Sequence, residues 1–220
     1  MTRSLFDDDD VVAETSRSRE PLAEGAWLLR GFALDVEEAL RAVLARIVAK
    51  APFRHMVTPG GYRMSVAMTN CGGFGWITDR GGYRYDALDP DSGRPWPGMP
   101  RAFLELAERA AAAASYPGFV PDACLINRYE KGARMSLHQD RNEVDLKAPI
   151  VSISLGLPAV FLFGGDERTD RPRRIPIHHG DVAVWGGASR LAFHGIAPLK
   201  EGEHKTMGRR RINLTLRQAR

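Results

Sequence analysis

Residues 150–185 read IVSISLGLPAVFLFGGDERTDRPRRIPIHHGDVAVW, a series of short β-type runs with a turn signal after each. The runs at 150–155, 159–163, 173–177 and 181–185 are rich in valine, isoleucine and phenylalanine, and glycine or proline separates most of them. Strands at this spacing, with no helical pattern between them, are typical of a β-sandwich or barrel.

The same pattern continues on both sides of this stretch. Further strands are predicted at 24–29, 123–129, 134–138, 191–194 and 209–217. Apolar residues recur at helical spacing from 36 to about 49, and again from Pro100 to just before Pro117. The sequence therefore predicts a mostly β protein in which two helices pack on a double-sheet core.

Residues 51–98 have a different character, with dense glycine, proline and aromatic residues around short β-like runs such as 64–68. We interpret this segment as a surface of hairpins and loops outside the packed core. Binding residues are concentrated in such segments because a rigid scaffold presents them to solvent.

The composition fits a globular protein, since 44% of the 220 residues are hydrophobic and 26% are charged. It excludes collagen, a coiled coil and general disorder. The longest charge-free stretch, 148–165, is interrupted by prolines and glycine, which argues against a membrane span.

Residues 1–20 are acidic and polar and are predicted to be a mobile tail. Two cysteines and no signal-peptide pattern predict a cytoplasmic protein.

The formal net charge is +4, and 26 of the 31 basic residues are arginine. A basic excess of this size admits a polyanionic partner without requiring one. Arginine suits two-pronged contacts with carboxylate or phosphate.

The tripeptide His138-Gln139-Asp140 is the first candidate for chemistry. Residues i and i+2 of a strand point to one face, so an imidazole and a carboxylate converge. A third ligand from His194 would complete the two-histidine, one-carboxylate set of non-haem Fe(II) oxygenases. His178 and His179 compete for that role, although their position before a turn predicts exposure. On its own, the tripeptide is more simply explained as a surface His-Asp pair.

The C-terminal strand, RINLTLR at 211–217, alternates between polar and apolar side chains. Arg211, Asn213 and Arg217 share one face by the period of two, and this face could receive a dicarboxylate. The alternative is the solvated face of an edge strand. Asn127 and Tyr129 repeat the spacing on the strand that precedes His138 and could add donors.

Together these motifs resemble the AlkB family of Fe(II)- and 2-oxoglutarate-dependent demethylases. The resemblance extends over about residues 20–219. It is carried by His194, by Leu125-Ile126-Asn127-Arg128-Tyr129, Ser136-Leu137-His138-Gln139-Asp140 and Arg211-x-Asn213-x-x-x-Arg217, and by Val57-Thr58-Pro59-Gly60-Gly61-Tyr62 and Asn70-Cys71-Gly72.

The resemblance implies a single domain over 21–220, with a double-stranded β-helix (jelly-roll) core over about 121–218 and a nucleotide-recognition lid over about 50–95. It implies Fe(II) on His138, Asp140 and His194, with 2-oxoglutarate and O₂ as cosubstrates. Arg211 would bind the distal carboxylate of 2-oxoglutarate with Tyr129 and Asn213. Arg217 and Asn127 would bind the carboxylate beside the keto group, and Leu125 belongs to the same implied site.

The implied reaction is oxidative demethylation of bases such as 1-methyladenine and 3-methylcytosine in single- or double-stranded DNA, and in RNA. The products would be formaldehyde, succinate and CO₂. Because the methyl group lies on the base-pairing edge, the base must leave the duplex. The implied substrate contacts are Thr58, Met68, Trp76, Tyr83, Asn142, Glu143 and Arg168, with Trp76 as the stacking platform. A monomer with no membrane association is expected.

One position departs from the family pattern. Asn142 stands where an aspartate is expected to accept a hydrogen bond from the exocyclic amine of the methylated base. An amide still offers a carbonyl oxygen, but it lacks the charge that complements a cationic lesion.

Two other functions compete with this interpretation. An oxygenase that acts on protein or a small molecule would keep the iron and cosubstrate residues, yet it would not need the aromatic, glycine-rich segment at 57–85. A nucleic-acid-binding module without activity would be expected to lose at least one of His138, Asp140, His194, Arg211 and Arg217. All five are present.

Overall fold

The structure, a computed structural model, describes residues 18–220. Its helices are α1 (Glu37–Lys50) and α2 (Arg101–Ala113). The strands are β1 (Arg19–Ala23), β2 (Ala26–Leu29), β3 (Ala67–Gly72), β4 (Gly75–Asp79), β5 (Gly82–Asp86), β6 (Ala123–Tyr129), β7 (Met135–His138), β8 (Ile150–Gly156), β9 (Ala159–Phe163), β10 (Arg173–Ile177), β11 (Val182–Trp185), β12 (His194–Ile196) and β13 (Arg211–Arg217). Within the described part, no helix is long and apolar enough to cross a membrane.

Two antiparallel sheets form the core. The larger has the strand order β1-β2-β11-β8-β13-β6-β3, and the smaller has the order β10-β9-β12-β7. Apolar side chains from both sheets, among them Leu28, Phe161 and Trp185, pack into one buried cluster between them. This arrangement confirms the predicted jelly roll, and β4 and β5 form a separate hairpin beside it.

The outer face of the larger sheet is covered by both helices. Ile212 and Leu214 of β13 are in a second buried cluster with Leu44 of α1 and Phe103 of α2. Because side chains alternate along a strand, the polar residues of β13 point the other way, between the sheets. β13 lies between β8 and β6 and all its residues are buried, so the solvated-edge interpretation of this strand is wrong.

The predicted tail at 1–20 is wrong at its end, because Arg19 and Glu20 belong to β1, which pairs with β2. Residues 1–17 lie outside the part that the structure describes. The strand predicted at 191–194 is also displaced, since β12 begins at His194. β1 was missed because its first residues are charged, and β12 was misplaced because it is only three residues long. Each strand is defined by its pairing with a neighbouring strand.

The prediction that 51–98 lies outside the core is wrong for β3, whose six residues are all buried at the edge of the larger sheet. Its polar side chains tolerate burial because each makes hydrogen bonds to main-chain atoms. Thr69 donates from Oγ1 to the carbonyl of Ala51 at 2.7 Å, and the Asn70 amide exchanges two hydrogen bonds of 3.1 Å with the main chain of Trp76. A strand rich in Thr, Asn and Gly carries little hydrophobic signal in the sequence.

Candidate metal centre

The pairing of β7 with β12 brings two histidines together. His138 is the last residue of β7, His194 is the first residue of β12, and the two are direct register partners with ring centroids 4.4 Å apart. Asp140 lies two residues beyond the end of β7. Each imidazole Nε2 is 3.7 Å from an Asp140 carboxylate oxygen, and all three ligand atoms lie within 4.8 Å of one another.

This geometry confirms the predicted metal site but corrects the reason for it. The i, i+2 argument assumed a continuous strand through Asp140, whereas the strand ends at His138. The competing histidines are excluded from the site, because His178 is exposed and His179 contacts Glu37 of α1 at 3.2 Å.

Main-chain carbonyls orient both imidazoles. The Nδ1 of His138 lies 2.9 Å from the carbonyl oxygen of Ser136, and the Nδ1 of His194 lies 3.0 Å from that of Ala192. A carbonyl oxygen only accepts, so each Nδ1 carries the proton. In the neutral form of each ring, Nε2 therefore carries the lone pair that a metal ligand requires, and this atom is the one that faces Asp140 at 3.7 Å.

The electrostatics keep His194 and Asp140 in the protonation states that bind a cation. Burial lowers the pKa of His194 to about 4, and His138 contributes in the same direction, so the ring is neutral near pH 7. Burial alone would raise the pKa of Asp140, but Arg217, through its charge and its hydrogen bond, and the two histidines together outweigh burial and hold this pKa well below the usual range. One carboxylate and two imidazoles are the ligand set that suits Fe(II) with open coordination positions.

Arg217 hydrogen-bonds directly to the carboxylate of Asp140, the acidic residue of the candidate metal site. Its Nη2 and Nε donate to Asp140 Oδ2 at 2.6 and 2.9 Å. Burial alone would lower the pKa of Arg217, but Asp140, Tyr85 and Glu143 raise it above its usual value. The resemblance assigned Arg217 to a cosubstrate carboxylate, and the structure adds that it also orients Asp140.

A cavity with polar and apolar walls extends from the two histidines into the space between the sheets. Residues predicted to bind 2-oxoglutarate line it, namely Leu125, Asn127, Tyr129, Arg211, Asn213 and Arg217, together with His138 and His194. β13 and β6 supply all six predicted residues, since Arg211, Asn213 and Thr215 pair with Tyr129, Asn127 and Leu125. The predicted set is therefore brought together on one wall of one cavity.

The polar atoms of this cavity fit a dicarboxylate. Arg211 is only 1% exposed, its Nη2 donates to Ser154 Oγ at 2.9 Å, and its Nε and Nη1 have no hydrogen-bond partner among the described residues. Burial lowers its pKa, which Tyr129 partly opposes. A buried guanidinium with unused donors is costly unless an anion completes it.

Sequence analysis missed two serines on the same wall. Ser152 and Ser154 of β8 face the cavity and accept hydrogen bonds from Asn213 Nδ2 at 2.8 Å and from Arg211 Nη2. Thr215 Oγ1 donates to Asn213 Oδ1 at 2.9 Å, which fixes the amide further. The alternation Val151-Ser152-Ile153-Ser154-Leu155 was the available signal, since it repeats the polar period of β13.

The β4–β5 hairpin presents an aromatic pair near the metal centre. The rings of Trp76 and Tyr83 stack at a centroid distance of 5.7 Å and an angle of 23°, and Tyr83 is exposed. The Trp76 indole N–H donates to Asn142 Oδ1 at 3.2 Å. Because Asn142 follows Asp140 by two residues, this hydrogen bond ties the aromatic pair to the mouth of the metal site.

The remaining predicted substrate residues do not all converge. The hydroxyl oxygen of Thr58 accepts from the Tyr62 main-chain N–H in an exposed turn, and Arg168 lies 5.9 Å from the Phe193 ring centroid on an exposed loop. Met68 is fully buried in the core, so it does not line an open pocket here. Glu143 is 7% exposed and paired with Arg190, so the described conformation does not present it to a base.

Comparison with known proteins agrees with this site. Residues 25–217 match the model of the 2OG-Fe(II) oxygenase superfamily. The chain is 57% identical over 210 residues to the alpha-ketoglutarate-dependent dioxygenase AlkB of Escherichia coli (strain K12), covering 96% of this chain and 97% of the relative. It is 30% identical over 159 residues to tRNA demethylase abh1 of Schizosaccharomyces pombe, covering 66% and 52%.

The solved structure of OsALKBH1 superposes with a TM-score of 0.78 at 27% sequence identity, covering 91% of this chain and all of that one. Sequence match, fold and metal triad agree. The chain belongs to the AlkB family of the 2OG-Fe(II) oxygenase superfamily, and it is an Fe(II)- and 2-oxoglutarate-dependent dioxygenase.

Proposed function

We propose that this dioxygenase repairs alkylated DNA, and acts on RNA as well, by oxidative demethylation of N-methylated bases such as 1-methyladenine and 3-methylcytosine. The observation that carries the proposal is the hydrogen bond between Trp76 and Asn142, because Asn142 follows the metal ligand Asp140 by two residues and the Trp76 ring would offer a base a surface for stacking. The high identity to AlkB supports the reaction type, and the tRNA demethylase among the relatives supports nucleic acid as substrate.

When bound, Fe(II) with 2-oxoglutarate and O₂ supplies the oxidation of the N-methyl carbon, which leaves as formaldehyde, with succinate and CO₂ as coproducts. His138, Asp140 and His194 would hold the metal through Nε2 and carboxylate oxygen atoms. On the cosubstrate side, Arg211 would pair with the distal carboxylate through the donors that it leaves unused. Asn127 and Arg217, which line the same cavity, would complete the other end.

On the substrate side, the chain must hold a base outside the helix stack. Trp76 offers a π-face for stacking, and Tyr83 and Thr58 have exposed or half-exposed hydroxyls that suit phosphate contacts. Arg168 would add a positive charge from the exposed loop between β9 and β10. We also propose that residues from about 50 to 95 act as a nucleotide-recognition lid, that the protein is a monomer, and that it works in the cytoplasm.

The two competing functions are less well supported. An inactive nucleic-acid-binding module has no use for a neutral His194, an anionic Asp140 and a buried Arg211 with unused donors in one cavity. An oxygenase acting on protein or a small molecule has no use for a stacked Trp76–Tyr83 pair in which Trp76 is half-buried and Tyr83 is exposed.

The proposal is tested by formaldehyde release from a panel of oligonucleotides that carry one 1-methyladenine or one 3-methylcytosine, as single-stranded DNA, double-stranded DNA and RNA. We expect release that depends on Fe(II) and 2-oxoglutarate and is absent for the unmethylated sequences. Turnover of 2-oxoglutarate that no methylated oligonucleotide stimulates would instead support a protein or small-molecule substrate.

Asn142 provides a specificity prediction. Asn142→Asp keeps an acceptor for the Trp76 indole and adds a negative charge at the mouth of the site. We expect it to increase kcat/KM for a cationic lesion, 1-methyladenine, relative to a neutral one, 1-methylguanine, by about 1 kcal/mol or roughly 5-fold, because a partly solvated charge contact is screened. Both lesions are measured in the same oligonucleotide, and an identical ratio in the two proteins would show that position 142 does not respond to base charge.

A further inference from the structure

A second group of buried charges lies directly behind the metal carboxylate. Arg190 is 4% exposed, and all three of its guanidinium nitrogen atoms donate hydrogen bonds to the segment that follows β7. Its Nη1 donates to the main-chain carbonyl of Asp140 at 2.7 Å, its Nε to that of Ala148 at 2.8 Å, and its Nη2 to Glu143 Oε2 at 3.1 Å. Arg190 therefore holds the loop from Asp140 to Ala148 in place through three hydrogen bonds.

Glu143 connects this arginine to Arg217. Its Oε1 accepts a hydrogen bond of 2.5 Å from the Tyr85 hydroxyl and lies 3.6 Å from Arg217 Nε. Arg217 in turn donates to Asp140 and, at 3.5 Å, to the Tyr85 oxygen. Two carboxylates and two guanidiniums therefore form a buried group without net charge, in which Glu143 touches every member except Asp140.

The hairpin is attached to the same group. Tyr85 of β5 is the direct register partner of Trp76 in β4, and directly opposed residues of an antiparallel pair point to one face. Trp76 donates to Asn142 while Tyr85 donates to Glu143. One cross-strand pair of the hairpin, Trp76 and Tyr85, therefore hydrogen-bonds to two consecutive residues, Asn142 and Glu143, of the loop that follows β7.

We propose that Glu143 is a positioning residue for the metal centre. It holds Arg217 against Asp140, so the carboxylate keeps one orientation, and through Tyr85 it fixes the aromatic hairpin to the same point. This corrects the expectation that Glu143 reads the base. The inference concerns the metal ligand and does not depend on the nucleic-acid substrate proposed above.

Affinity for Mn(II), measured by calorimetry on the full chain without 2-oxoglutarate or nucleic acid, tests the first half of the inference. Glu143→Gln preserves size and the acceptor for Tyr85 but removes the charge between the arginines. We expect its Kd for Mn(II) to rise roughly 10- to 100-fold, as for other residues that orient a ligand without touching the metal. Tyr85→Phe should raise it roughly 3- to 10-fold through the loss of one hydrogen bond.

Matched controls separate positioning from general stability. Glu201→Gln removes an exposed carboxylate that also pairs with two cations, Lys131 and Arg209, and Tyr116→Phe removes a hydroxyl bonded to the Gly25 carbonyl. Neither should change the Mn(II) affinity. A folded Glu143→Gln protein with an unchanged Kd would overturn the inference. Should that variant not fold, an unchanged Kd in folded Tyr85→Phe would overturn it equally.

Hydrogen exchange tests the second half. Amides of residues 75–86 should exchange faster in Tyr85→Phe than in the wild type, because one of the two side-chain bonds holding the hairpin is lost. Tyr116→Phe should leave their exchange unchanged. Equal exchange of the hairpin in all three proteins would show that Glu143 does not anchor it.

Discussion

Replacing His138 with alanine is expected to abolish Fe(II)-dependent turnover of 2-oxoglutarate and of methylated oligonucleotides. The variant removes one of the three ligand atoms that lie within 4.8 Å of one another, and a site with two remaining ligands binds the cation too weakly to function. Turnover and calorimetric Fe(II) binding under anaerobic conditions are the measurements. Activity near the wild-type rate with iron bound would contradict the ligand assignment.

His138 is a better target than Asp140 for this experiment. The His138 side chain is 38% exposed and its loss leaves no buried charge without a partner. Asp140→Ala should also abolish turnover, but it leaves Arg217 buried beside a missing carboxylate, a change that costs about 3–5 kcal/mol of stability. His178→Ala is the matched control, because His178 is exposed and was the competing candidate from the sequence. It should bind iron and turn over normally.

The second large effect is expected from Arg211→Ala, which should raise the KM for 2-oxoglutarate roughly 10- to 150-fold. That range corresponds to the loss of a charge-assisted hydrogen bond, about 1.5–3 kcal/mol. Arg211 is buried in the cavity and has two nitrogen atoms free of protein partners within the described chain, so its donors are available to the cosubstrate. KM is measured at a saturating concentration of methylated oligonucleotide.

The neighbouring Arg210→Ala is the control for Arg211, since Arg210 is exposed and alternation along the chain directs it away from the cavity. Its KM should equal that of the wild type. If Arg211→Ala left the KM unchanged, Arg211 would not be the partner of the distal carboxylate.

The iron and cosubstrate residues could be predicted because their signal is local. Period-two alternation along β13 put Arg211, Asn213 and Arg217 on one face, and the structure confirms that all three line the same cavity. Only the order of strands in the sheet excludes the competing explanation, a solvated edge strand. An edge strand and a central strand can show the same alternation of polar and apolar residues, so the sequence could not separate them.

The surroundings of Glu143 could not be predicted in this way. Tyr85, Glu143 and Arg190 are separated by 58 and 47 residues along the chain, and nothing in their local sequence marks them as partners. Likewise, β3 lies in a segment that was interpreted as surface because glycine, proline and aromatic residues are dense there, although its Thr69 and Asn70 are fully buried and hydrogen-bonded. Burial of a polar group depends on whether a distant partner satisfies it.

By itself, the amino-acid sequence determined most strands of the core, the two helices, the polar face of β13 and membership in a family of metal-dependent oxygenases. These follow from backbone periodicity and from motifs, which are properties of contiguous residues. The tertiary structure decided which histidine pairs with His138, that Arg217 holds Asp140, and that Glu143 joins the hairpin to the metal centre. Such contacts depend on strand register and on the low dielectric of a buried site, and both exist only when distant segments have packed together.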